Sequence, residues 1–451
     1  MGILERYQDD IEEEKPKPKK PKAKKSSVKA ELFEEDKFFR KGFVPEWMIK
    51  ELHSRGNNYL ALGEVLFQYQ DGVYVPCAEM LEKEVGQLLA SRERTNYIDE
   101  THKALIRRYR TEPDTDLINF QDTLYHLETE KTEAHNPTLA SINQFPVQFK
   151  PTYEDAATPA INLLSEWVDW SDVAALMQMI GSCFHAGSVN LQKAWILIGE
   201  GSNGKSILLD FIESLVGAEN ICSTSWVKFG ESPFATFDMF QKAVAIDADF
   251  NVHSSFGSDI KAIIDGSAIQ VEQKYKPSFR ARMTCTMIAA MNELPRTKDT
   301  TRGFFRRFNI IRFPNTFKED AAKAREIKKI LSDEKLKTDF VQRCLKAYRA
   351  AWKLGNYTIS EQSEIEKEEF RQTSNPVLIW IEECFEDVDD HKAPMVDVYD
   401  FYKIWCEQNG HKPLSRSRLT RTLKAEGYEI KTATHNKTTE RCLIGAQVYS
   451  R

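Results

Sequence analysis

The chain has 451 residues, 41% of them apolar, and a formal net charge of −6, which allows two to four domains with at least one sizeable core and argues against a protein that coats itself in nucleic acid. No apolar run approaches the roughly 18 residues of a membrane span. The start MGILERYQDDIEEEK resembles neither a secretory signal nor a transit peptide, so a cytoplasmic location is expected.

Arg6 stands where an N-myristoylation signal wants Ser or Thr. The eight cysteines are scattered singly with no CxxC pair, as expected of reduced, mostly buried thiols rather than a zinc knuckle or a disulfide framework. Residues 1–31 form a Lys- and Pro-rich tail, with seven lysines and three prolines between Lys15 and Lys25. Such a segment cannot bury a core and suits either a solvated leader or a non-specific nucleic-acid arm.

Residues 32–165 are expected to form a mixed, mainly helical N-terminal domain. VLFQYQDGVYVPC reads as a hairpin turning at Asp71-Gly72, with a helix from Ala78 to about Ser91 and a second strand pair in LINFQDTLYHLET. Apolar periodicity predicts helices around Ile161–Val168 and Val173–Phe184. From Trp195 to Phe313 short apolar strands alternate with helices, the mark of a layered α/β sheet. Asp320–Leu354 reads as one helix, and residues 356–375 as a linker.

Residues 376–451 predict three helices and a two-stranded hairpin, the arrangement of a winged helix. The third helix would present Arg416, Arg418, Arg421 and Lys424, with Lys431 and Lys437 on the wing, to DNA phosphates. Protein docking is the other use of such a module.

The most informative stretch is GEGSNGKSILLDFIESLVG, Gly199 to Gly217, directly after the apolar run AWILI. Gly199, Gly204, Lys205 and Ser206 satisfy G-x-x-x-x-G-K-[ST] between a strand and a helix, which makes a P-loop. Gly199, Gly201, Ser202, Asn203 and Gly204 would turn backbone N–H groups onto the phosphates of ATP, Lys205 would reach the terminal oxygens, and Ser206 would ligate Mg²⁺. KAVAIDADF then supplies Asp247 and Asp249 to hold the metal or polarise water. The strand MTCTMIAAM ends at Asn292, able to reach the water or the γ-phosphate. RGFFRRF offers Arg306 and Arg307 as arginine fingers, which in ring ATPases come from the neighbouring subunit.

GEGSNGKS, AVAIDADF, IKAIIDGSAIQVEQKYKPSF, IAAMNELP and RGFFRRFNIIRF, in that order, closely resemble the motifs of superfamily 3 helicases of the phage, plasmid and poxvirus primase-helicase type. Upstream, INFQDTLYHLETEKTEAHNP looks like the segment preceding the helicase core in those proteins. Many members have adjacent acids in the second motif; here Ala248 separates Asp247 from Asp249, so the base and metal roles stay unassigned.

The resemblance implies an α/β fold with an AAA+ ATPase core over residues 166–355. It also implies a ring, a hexamer in the family, that moves 3′ to 5′ on single-stranded DNA in phage or mobile-element replication, within a bacterial host's cytoplasm. The N-terminal region is too short for a primase domain, so priming would come from another chain. The basic turn joining IQVEQ to FRARMT would project into the pore, Lys274 and Lys276 meeting phosphate and Tyr275 stacking or packing on sugar. Two other readings are a small-molecule kinase, which has no use for the basic hairpin, and an origin-binding or regulatory DNA-binding protein with a weak ATPase.

Overall fold

Strands too short and too apolar to face water must sit inside a layered arrangement, and the computed structural model of the chain has one at its centre. It describes residues 34–112, 114–274, 278–295, 297, 299–317, 321–435 and 438–449. These divide into two compact units. The first comprises the chain up to Phe250, Phe256–Glu293 and Asn309–Ser360, and the second comprises Asn251–Ser255, Leu294–Phe308 and the residues from Glu361 onward.

The first unit begins with α1 (Pro45–Ser54), the antiparallel strands β1 (Tyr59–Leu62), β2 (Val65–Gln70) and β3 (Val73–Pro76), and helices α2 (Ala78–Leu89) and α3 (Thr95–Tyr109). The expected turn at Asp71-Gly72 joins β2 to β3, both residues having positive φ. Met48, Leu52, Leu81, Val85 and Leu105 fill a core between these helices and β1–β2. A second small sheet follows, β4 (Leu117–Asn119), β5 (Leu124–His126) and β6 (Lys131–Glu133).

Helices α4 (Thr158–Trp167) and α5 (Trp170–Ser182) then lead into the central sheet. Its elements are β7 (Ala194–Ile198), α6 (Lys205–Val216), β8 (Ile221–Ser223), α7 (Pro233–Met239), β9 (Val244–Asp247), α8 (Ile260–Ile264), the hairpin β10 (Ala268–Val271) and β11 (Phe279–Arg282), and β12 (Thr286–Met291). The segment with α9 (Arg302–Phe305) follows, then β13 (Phe308–Arg312), α10 (Ala321–Leu331) and α11 (Glu334–Leu354). The strand order is β13-β7-β12-β9-β8. β7 pairs parallel with β12, β12 with β9, and β9 with β8. All five residues of β7 are buried, each large side chain contributing about 1.5–3 kcal/mol, which is why this strand lies inside the sheet. α5, α6 and α11 cover one face through Leu176, Leu208, Ile212, Phe340 and Tyr348.

Two expectations are corrected here. The helix expected over Asp320–Leu354 is two helices, because the Asp333 carboxylate accepts from the Leu336 N–H at 2.9 Å and caps a fresh start. The stretch expected to be a linker holds α12 (Glu361–Ser374). Its charged residues are good helix formers with i,i+3 pairs Glu364–Lys367 and Glu368–Arg371, and its Phe370 is fully buried.

The second unit continues with α13 (Pro376–Cys384), β14 (Phe385–Pro394), α14 (Met395–Gln408), α15 (Arg416–Ala425), β15 (Glu429–His435) and β16 (Thr438–Val448). The expected hairpin β15–β16 is joined by β14, which pairs with the other side of β16. Trp380, Val398, Tyr402, Leu419, Leu423 and Leu443 form the core. All eight cysteines are free and buried, as expected. Among the described residues no helix is long and apolar enough to cross a membrane.

Candidate functional site

The stretch from the end of β7 through the loop before α6 is held at three points, by β12 and by the residues that follow β13. Gly199 N–H donates to Met291 O (3.2 Å), one residue before Asn292. Phe313 N–H donates to Ile198 O (2.7 Å), and Phe317 N–H to Ser202 O (2.8 Å) at the loop's crown. Gly199 and Gly204 are required by close approach. A Cβ on Gly199 would meet Phe313 O at 2.5 Å, and one on Gly204, whose φ is +95°, would meet the Trp167 ring at 2.9 Å. Helix α6 starts at Lys205 with the Leu208 N–H to Gly204 O bond (2.9 Å), buries Leu208, Phe211, Ile212 and Leu215 on one stripe, and stops at Gly217.

Lys205 is folded back into the loop. Its Nζ donates to Gly199 O (2.5 Å), Glu200 O (3.2 Å) and Asn203 Oδ1 (3.1 Å). Burial holds this ammonium below the ordinary lysine value. The loop thus surrounds a cation that is free of any carboxylate partner among its hydrogen bonds, at the positive end of a helix.

This loop forms one wall of a cavity of about 430 Å³, lined also by Trp167, Asp249, Asn292, Phe317 and Lys323. Gly201, Ser202, Asn203, Gly204, Lys205, Ser206, Asp249 and Asn292, all sequence candidates, meet there at the carboxyl ends of β7, β9 and β12, where ligands of parallel sheets bind. Gly199 stands at the base of the loop, below the lining.

The two acids part company. Asp249 is exposed and lines the cavity, whereas Asp247, 5% exposed, turns its Oδ2 onto the Trp226 N–H at 2.8 Å. Burial raises the Asp247 carboxyl above its usual range, against the Trp226 N–H and the Ser225 hydroxyl, which favour the ionised form. Sequence reasoning did not single out Trp167, Phe317, Lys323 or Ile327 as cavity residues. Only the aromatic in WVDW upstream of the P-loop marks the first of them.

Arg306 and Arg307 belong to the second unit, at the end of α9. Arg306 is exposed, and the Arg307 guanidinium donates to Gly303 O. The hairpin β10–β11 belongs to the first unit and pairs Ala268 with Arg282 and Val271 with Phe279. Ile269 and Val271 point inward, and Arg280 and Arg282 are tied to Ala268 O and Gly266 O, both at 2.7 Å. Lys274 is exposed just beyond this stiffened base; Tyr275 and Lys276 lie outside the described residues, as does Lys437.

On α15, Ser415 caps the N-terminus, Leu419 and Leu423 face the core, and Arg416, Arg418, Arg421 and Lys424 are all exposed. None of the four makes an ion pair among the described residues, whereas Lys431 pairs with Glu429 at 3.0 Å. Four exposed cations on one short helix make a positively charged surface.

Residues 197–307 match a family of unknown function, DUF5906, and residues 372–441 match the family described as Poxvirus D5 protein-like. In fold, the chain is similar to the A-form apo structure of the NrS-1 C-terminal region, with 14% identity, a TM-score of 0.51 and coverage of 89% of this chain and 99% of that one. Two further apo structures of that region have the same identity and coverage at TM-scores of 0.48 and 0.49. The chain therefore shares its fold with the NrS-1 C-terminal region and carries, in its C-terminal unit, a segment similar to poxvirus D5-like proteins.

Proposed function

We propose that the chain is an ATP-driven, ring-forming DNA helicase of replication, of the superfamily 3 type, with an AAA+ core and a C-terminal winged helix. The observation that carries this reading is the cavity in which Lys205, Ser206, Asp249 and Asn292 converge at the carboxyl ends of parallel strands.

The residues present suit Mg-ATP. A phosphate is the group that a positive helix end, a ring of loop N–H groups and a buried ammonium would stabilise together. Among the described residues no three His, Cys, Asp or Glu gather to cage a metal. Mg²⁺ needs no such cage, since it keeps waters and takes one or two protein oxygens beside phosphate oxygens. Ser206 and one of Asp249 and Asp247 would supply those. The bound nucleotide supplies a phosphoanhydride whose cleavage drives movement, and Mg²⁺ neutralises charge on its oxygens.

The chain's own residues do the rest. Lys205 exchanges its three loop acceptors for phosphate oxygens. Asp249 faces the open cavity and suits water polarisation, while Asp247, bonded to the Trp226 N–H, suits the organising role. Asn292 follows β12, the strand between β7 and β9, lines the cavity together with Asp249, and orients what is bound there. Trp167, Phe317 and Ile327 give the cavity an apolar side for the base. Arg306, with Arg307 second, acts on a neighbouring subunit's site. Lys274 and Lys276 grip the single strand, and α15 contacts phosphates of the fork.

Turnover measured with and without single-stranded DNA tests this reading, with Lys205→Ala as the control. We expect DNA-stimulated ATP hydrolysis and strand separation in the wild type, and neither in the folded variant. Normal turnover by Lys205→Ala would remove the site assignment.

A further inference from the structure

The segment that carries Arg306 and Arg307 is fastened to the C-terminal unit in three ways. Phe370 of α12 is ringed by Phe305, Phe308 and Phe304, with centroids 5.0, 6.1 and 6.4 Å away. Thr297 N–H donates to the Ser374 hydroxyl at the end of α12 (3.2 Å). The third tie is ionic: Glu426 Oε2 accepts from the Arg302 guanidinium at 3.1 Å and from that of Arg371.

Glu426 is only 9% exposed, and it is the residue that closes α15. One carboxylate therefore joins the start of α9 to the end of the helix whose outer face carries Arg416, Arg418, Arg421 and Lys424. A buried carboxylate shared by two guanidinium groups is costly to leave half-paired and fixes the geometry of what it joins. Removing it would loosen the start of α9 while Phe370 still anchors the aromatic side, Thr297 still meets Ser374, and Arg371 would keep Glu368 at 3.0 Å.

We infer that Glu426 is a positioning residue for the arginine segment 302–308, and that through it the load on α15 is passed to Arg306 and Arg307. This rests on the proposed function, since it presumes arginines that act in hydrolysis and a helix that meets DNA. α15 does not itself touch the reacting atoms. Its engagement fixes the N-terminal anchor of α9 at Arg302, and the arginines four and five residues further on are presented in one orientation.

The experiment uses the full chain with the variants Glu426→Gln, Arg302→Ala and Arg302→Lys. Arg302 is 67% exposed, so its replacement leaves the core intact should Glu426→Gln fail to fold. Affinity for a fluorescent ATP analogue, KM for ATP and affinity for single-stranded DNA should stay within about twofold of wild type in all three. DNA-stimulated kcat should fall about fivefold or more in Glu426→Gln and Arg302→Ala, the effect of one lost charge-assisted bond, and recover in Arg302→Lys. Stimulation kept intact in both neutral variants would overturn this inference alone. Parallel losses of nucleotide affinity, DNA affinity and melting temperature would overturn it in favour of a purely structural tie. A wild-type protein whose turnover ignores single strands would overturn it together with the proposed function.

Discussion

Gly204→Ala tests the nucleotide loop most directly, because its cost follows from two separable contacts. The residue has a φ of +95°, and a Cβ there would stand 2.9 Å from Cγ, Cδ1 and Cδ2 of Trp167. Trp167 is 2% exposed and packed in the cluster that holds Leu208 and Leu209, so moving its ring away from Gly204 would disturb that packing. A left-handed backbone costs an L-residue about 1–2 kcal/mol, and overpacking adds about 1–3 kcal/mol. Where the loop rather than the fold gives way, a total of about 2–5 kcal/mol weakens nucleotide binding by roughly 30-fold to several thousand-fold. Titration with a fluorescent ATP analogue and thermal melting should be run on Gly204→Ala and on the same change in a Trp167→Ala background. The contact term disappears in that background, so the substitution should cost only about 1–2 kcal/mol there. An equal cost in both backgrounds would refute the packing argument, and wild-type binding and melting by Gly204→Ala would refute the loop geometry altogether.

If the arginines act between subunits, mixing inactive Arg306→Ala with inactive Lys205→Ala protein should restore part of the ATPase activity; none at any ratio, in rings shown to be mixed, would count against a shared site. Lys274→Ala/Lys276→Ala should keep basal turnover, lose unwinding, and flatten the salt dependence of single-strand binding by about 1.4 in log–log slope; unwinding at the wild-type rate would move the DNA path elsewhere. His185 is buried, bonds to the Tyr348 hydroxyl at 2.8 Å, and has its pKa pushed down by burial to about 4. Because the unfolded chain binds the proton first, with an ordinary value of 6.5, its share of stability is present above that value and is lost as pH falls toward 4. Denaturant unfolding should therefore show the wild type losing about 2 kcal/mol more than His185→Gln between pH 7.5 and pH 5; parallel pH profiles would show that His185 is not the group responsible.

The parts of the site legible in the sequence were those built from local pattern. AWILI is a continuous apolar run, and Gly204 and Gly217 bracket α6, so strand, loop and helix were readable before any contact was known. Other elements form only through partners. β8 has three residues, too few to show a period. β14, FEDVDDHKAP, is acidic and without alternation, and exists because β16 offers it a ladder with a register shift between Asp387 and Lys392. The charged α12 hid its buried aromatic anchor, Phe370. Asp247 and Asp249 would share a face if β9 continued, but the strand ends at Asp247 and the chain turns, sending one acid to the Trp226 N–H and the other to the cavity. The meeting of Trp167 with Gly204 joins parts of the chain 37 residues apart, and no local pattern pairs them.

The second unit is assembled from three separate stretches of chain, two of them excursions out of the first, and this governs how the protein can be taken apart. A single proteolytic cut between Ser360 and Glu361 would nick the molecule without releasing a finished module, since Leu294–Phe308 would stay covalently with the other half. A fragment begun at Glu361 would uncover the Phe370 ring by losing Phe304, Phe305 and Phe308, an apolar surface prone to self-association. It would also leave Glu426 with Arg371 as its sole remaining cation from the pair. Grafting residues 294–308 ahead of Glu361 through a flexible tether is therefore the route to a soluble, separately expressed C-terminal piece, and the same circuitous path means that insertions near 251–255 or 294–308 disturb both halves at once.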